Sequence, residues 1–183
     1  MRALTKEEIQ TALSRLEHGL DQYLWLQHHV RSYDVSTNED FQRRFNGFYR
    51  VRRGSQWRSA YFGLLESSKA KGIEFPEALQ EVNRRTGRVE ASFASKLVAT
   101  LDPSKPVIDK FVLAHFELRL PRCGVSNQGL KTIHLYRELC DKYHAFLQGL
   151  TGGMIRKLFD ERYPCSEVSE LKKLDLVLWQ VRA

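Results

Sequence analysis

A chain of 183 residues suits one domain and is long enough to bury a core without metal or disulfide staples. With 42% hydrophobic and 28% charged residues, neither a disordered chain nor a fibrous repeat is indicated. The formal net charge of +7 points towards a polyanionic partner.

The elements follow in chain order. Met1 to Ile9 carries Arg2, Lys6, Glu7 and Glu8, so the apolar stretch of a signal peptide is missing there. No apolar run approaches the ~20 residues of a membrane span. A cytoplasmic protein with no membrane partner is therefore expected. Thr5 and Glu8 form a capping-box pattern. Ile9, Leu13, Leu16, Leu20 and Leu24 follow at helical spacing, which predicts one helix over about 6–31. Ser32 to Asp40 reads as a polar connection, and Gly47 and Gly54 punctuate a basic segment expected to be a loop with short helical turns. Trp57, Tyr61, Leu64 and Leu65 predict a helix ending near Gly72, and Pro76 opens a short one through about Arg85. Gly87 breaks the chain. Phe93, Leu97, Val98 and Leu101 make a helix that stops near Asp102, ahead of Pro103.

Helical spacing resumes from Val107 to Leu118, and Pro121 to Gly129 reads as a loop. Asn127 is placed to cap a long helix carrying Leu130, Ile133, Tyr136, Leu139, Tyr143 and Leu147. Gly152 and Gly153 read as a helix break before Ile155, Leu158 and Phe159. Ser166 opens the last helix, with Leu171, Leu174 and Leu178 as its buried stripe and Lys172, Lys173 and Asp175 as its wet face. Few segments alternate with period two. The expectation is an all-α fold, a single compact multi-helix domain over 1–183.

Charge is concentrated. Arg43, Arg44, Arg50, Arg52, Arg53 and Arg58 fall between Phe41 and Arg58 with no acid among them, and so carry six of the seven net charges. Phe41, Phe45, Phe48, Tyr49 and Trp57 are interleaved with them. Guanidinium forks suit phosphates and rings suit bases, which makes DNA or RNA the expected partner, with Trp57 as the ring most available. The same residues also fit a core-facing aromatic stripe with a solvated basic face, or a contact to an acidic protein partner with Trp57 or Trp179 as an apolar anchor.

Other chemistry is sparse. Cys123, Cys140 and Cys165 lack CxxC or disulfide-framework spacing and read as reduced thiols. His28 and His29 point about 100° apart on a helix, and His115/Cys123 and His134/Cys140 lack zinc-ligand spacing. No metal and no cofactor is expected, since no P-loop, dinucleotide fingerprint, HExxH or GxSxG occurs.

Thr86 to Leu113, TGRVEASFASKLVATLDPSKPVIDKFVL, combines a glycine turn, an apolar helix, a Pro-containing loop and an aspartate opening the next helix. This stretch resembles the helix-hairpin-helix DNA glycosylases. The resemblance implies that Gly87 is the hairpin-turn glycine and Asp109 the catalytic carboxylate of a monofunctional, glycosylase-like hydrolase. Departures are a missing second hairpin glycine, Val89 or Glu90 where bifunctional members have lysine, and no four-cysteine cluster. Read without the resemblance, Asp109 is a helix cap. Over most of its length the chain is similar to a family of conserved bacterial proteins with no assigned activity, through FYRVRR at 48–53, SKLVATLDPSKPVIDKFV at 95–112 and KKLDLVLWQ at 172–180.

Overall fold

A computed structural model describes residues 3–181, so Met1 and Arg2 of the charged start lie outside the described residues. Among the described residues the chain forms ten α-helices and no strand, as the periodicity predicts. They are α1 (Lys6–Ser14), α2 (Glu17–His29), α3 (Glu39–Phe48), α4 (Ser55–Ser68), α5 (Phe75–Thr86), α6 (Ala91–Leu101), α7 (Lys110–His115), α8 (Gln128–Gln148), α9 (Leu150–Arg162) and α10 (Glu170–Gln180). One apolar cluster runs through all ten, from Leu4 to Leu178. None of the helices is long and apolar enough to cross a membrane.

The start is capped as the sequence predicts: the Thr5 hydroxyl accepts from Glu8 N and the Glu8 carboxylate accepts from Thr5 N. The single helix expected over 6–31 is instead two. At Arg15 and Leu16 the amides bond back three residues, to Ala12 and Leu13, in a tight turn. The division lets each half meet a different partner. The first helix packs on α9 and α10, the second on α3. The basic segment is also more ordered than a loop. Asn38 Oδ1 accepts from Phe41 N at 2.8 Å and starts α3, whose Phe41 and Phe45 are fully buried.

Helix α5 ends at Gly87, in the left-handed region at φ 71°, and α6 packs back on α5. The expected helix from Val107 to Leu118 shrinks to six residues. The stretch 106–109 is pinned to α6 instead: Ser95 Oγ accepts from Ile108 N at 2.9 Å and Ser92 Oγ donates to Ile108 O at 2.8 Å. Those bonds engage the Ile108 backbone outside a helix, and Asp109, itself extended, caps α7.

Three expectations fail at the C-terminal end. Asn127 precedes α8 in a left-handed conformation and its side chain makes no capping bond. Gly152 and Gly153 lie inside α9 rather than breaking it. Gly152 is there because α9 turns back against the end of α8, where a Cβ would sit 2.0 Å from the Phe146 carbonyl oxygen. The last helix is capped by Ser169, not Ser166, through a bond from Lys172 N.

That last helix has no wet face. All residues from Leu171 to Leu178 are buried, because α10 is surrounded by α1, α7, α8 and α9. Lys172 and Asp175, expected in solvent, form an ion pair at 2.7 Å in the core, and the Tyr143 hydroxyl donates to Asp175 at 2.8 Å. Lys173 reaches Asp160 and Glu170, each at 2.7 Å. Unpaired charges at such positions would cost several kcal/mol, on the order of the effective penalty for a buried ion, so the pairing is obligatory.

Candidate functional site

A cleft of about 1140 Å³ is lined by residues of α2, α3, α6, α7 and α10. Its first wall comes from the turn after α3. Arg50 takes a left-handed conformation, φ 52°, and Val51 N then bonds back to Asn46 O at 2.9 Å. For a non-glycine residue this conformation costs roughly 1–2 kcal/mol. It reverses the chain at the end of α3. Arg50 and Arg52 are left exposed on the cleft, and Arg53 is sent the other way.

Lys96 of α6 and Asp109 at the start of α7 also line the cleft. Lys96 Nζ donates to Tyr49 O at 3.3 Å and lies 4.9 Å from the Phe93 ring centre and 5.6 Å from that of Tyr49. Burial pushes its ammonium down to about 8, although Asp109 and Glu90 pull in the opposite direction. Among the described residues no carboxylate stands within ion-pair distance of it. Asp109 Oδ1 accepts from Phe111 N at 2.8 Å, so it is a cap and a cleft residue at once. Lys110 and Arg119 stand at the rim, with Glu117 between them in sequence.

Aromatic rings line the cleft as well. Trp179 and Phe48 both border the cleft, 5.6 Å apart and tilted by 41°. Under the indole lies Lys172, its Nζ 4.5 Å from the ring centre. Burial acts to lower the Lys172 ammonium, but Asp175 and Tyr49 outweigh it and the net direction is up. Burial raises the Asp175 carboxyl against the opposing pull of Lys172 and Tyr143. The 2.7 Å contact lets each charge offset the burial of the other.

The six clustered arginines differ in their partners. Arg43 and Arg44 both pair with Asp40, one turn earlier on α3, and the Arg44 guanidinium covers Trp25 at 4.4 Å. Arg53 is held by Glu90 at 2.7 and 2.8 Å, between Trp57 and Phe93. Arg58 is half-buried on α4. Trp57 stacks on Tyr61 at 5.0 Å and meets Phe93 at 4.6 Å with the rings tilted by 59°, so it packs at the margin of the core. Gly87 does not line the cleft. The cleft thus brings together Arg50, Arg52 and Asp109 from the sequence expectations and leaves Arg43, Arg44, Arg53, Arg58 and Trp57 outside its lining.

Sequence reasoning named Trp179 only as an anchor for a protein partner, and it missed Lys96 and the Lys172–Asp175 pair. The last had a partial signal: Leu171, Leu174, Leu176, Val177 and Leu178 spread over more than half of the circumference of α10, wider than the apolar stripe of a half-exposed helix. Among the described residues no group of three His, Cys, Asp or Glu side chains could hold a metal ion.

The chain matches no protein-family model, no curated protein and no solved structure.

Proposed function

We propose that the cleft binds nucleic acid through its phosphates. The observation that carries this reading is that Arg50 and Arg52, exposed and without a carboxylate partner among the described residues, open onto the same cleft as Lys96. Their charge is uncompensated where a ligand can reach it, unlike that of Arg43, Arg44 and Arg53. Guanidinium groups offer forked donors that match phosphate oxygens. Binding of this kind releases counterions, so affinity falls steeply with salt. The test is fluorescence anisotropy of labelled DNA and RNA across a salt series. Replacing Arg50 and Arg52 by alanine is expected to weaken binding and shrink the log–log salt slope by about 1.4–1.8, two phosphate contacts' worth. An absence of binding at low salt would remove nucleic acid and leave an acidic protein as the partner, and an unchanged slope in this variant would take the phosphate contacts away from the cleft.

A second reading has one observation behind it: Asp109 shares the cleft with those cations. Its Oδ1 accepts the cap bond from Phe111 N. A carboxylate beside the sugar of an extruded nucleotide can stabilise an oxocarbenium-like centre or activate water. On this reading the protein is a glycosylase-like hydrolase, with α5, Gly87 and α6 as its hairpin. Base release that persists undiminished in Asp109→Asn would rule it out.

A further inference from the structure

Resting on the nucleic-acid reading above, we infer that the cleft takes an unpaired nucleotide, its base stacked on Trp179 beside Phe48 and its phosphates on Arg50 and Arg52. In a duplex the bases are stacked on one another and offer only their edges in the grooves. A ring set into the wall of a concave cleft can be reached by the flat face of a base only when that base is unpaired. Trp179 occupies such a place. It sits in the last turn of α10, is half-buried, and shares the cleft wall with Phe48.

The indole is fixed from the core side. Lys172 lies 4.5 Å from its ring centre and is itself held by Asp175, while Phe48 and Tyr49 pack at 5.6 and 6.1 Å. A platform immobilised in advance loses little side-chain freedom when a base settles on it. A buried indole N–H ordinarily finds an acceptor, yet Trp179 Nε1 has none among the described residues. Its position is therefore set by ring packing and by the cation beneath it, not by a structural hydrogen bond. The neighbouring charge complements a strand: Arg50, Arg52 and Arg119 line the same cleft. Phosphate and ring sites in one cleft are the two components of single-strand recognition.

The test compares three labelled probes of equal length at one moderate salt concentration: an oligothymidylate strand, a duplex, and a strand of abasic deoxyribose phosphates. Wild-type protein is expected to bind the oligothymidylate at least tenfold more tightly than either other probe. Trp179→Ala should lose roughly five- to 150-fold in affinity for the base-bearing strand and leave the other two unchanged. Trp179→Phe should keep most of the preference. Thermal melts establish that each variant is folded, and Phe48→Leu takes the place of Trp179→Ala should the latter unfold. Equal binding of all three probes, with Trp179→Ala neutral, would overturn this inference and leave the phosphate-binding reading standing. No binding of any probe at low salt would overturn both.

Discussion

Lys96 and Lys172 meet similar surroundings and respond in opposite ways. Both amines are withdrawn from water and both lie within about 6 Å of aromatic ring centres. Lys172 has a carboxylate at 2.7 Å, itself bonded to a tyrosine hydroxyl, and its ammonium is favoured. Lys96 has only a backbone carbonyl at 3.3 Å, and burial pushes its ammonium down to about 8. Burial penalises both charges. The neighbouring carboxylate decides which becomes part of the scaffold and which stays available to an incoming anion. The arginines divide in the same way. Asp40 occupies Arg43 and Arg44, Glu90 occupies Arg53, and Arg50 and Arg52 open onto the cleft.

The contrast breaks most visibly at the core pair. Asp175→Ala leaves Lys172 buried and unpaired and is expected to cost about 3–5 kcal/mol, read from denaturant unfolding. A double replacement, Lys172→Met with Asp175→Leu, should recover most of that loss; equal losses in the single and double variants would show that the pair is not the source. Lys96→Met should act oppositely. Removing a disfavoured cation is expected to raise stability by about 1 kcal/mol while weakening nucleic-acid affinity, so that melting temperature and binding move in opposite directions.

A pH titration sharpens the same point. The Lys96 pKa lies below its ordinary value of 10.5 in the folded protein, so the unfolded chain holds the proton to higher pH. Its contribution to stability therefore rises between about pH 8 and 10.5, whereas its contribution to anion binding is present below about 8 and is lost above it. Wild-type affinity should show that loss and Lys96→Met should not. The smallest effect is expected on α3: Arg43→Ala and Arg44→Ala should each change stability by less than about 0.5 kcal/mol and leave binding unaltered.

Local signals marked much of this architecture. The Thr5–Glu8 box, Gly87 and Pro103 end or begin helices through chemistry that spans only a few residues. The break at Arg15 and Leu16 was hidden because the apolar stripe from Ile9 to Leu24 continues across it without a phase change. Its cause is tertiary, the different partners of α1 and α2. Counting the charge between Phe41 and Arg58 located the basic segment but not its division, which depends on where Asp40 and Glu90 fold. Asp109 was legible both as a cap and as a site candidate. Its meeting with Lys96, Arg50 and Trp179 was not, since these come from separate helices and turns joined only by packing. Lys172 and Asp175 misled because charges at helical spacing ordinarily mark a solvated face.

Amide hydrogen exchange with and without a saturating oligothymidylate strand tests most directly whether the cleft, and not the α3 face, holds the ligand. Protection is expected at 47–52, 92–96, 109–120 and 176–181, with 39–45 unchanged. Protection confined to 39–45, or none at the cleft segments while the strand is bound, would contradict the assignment.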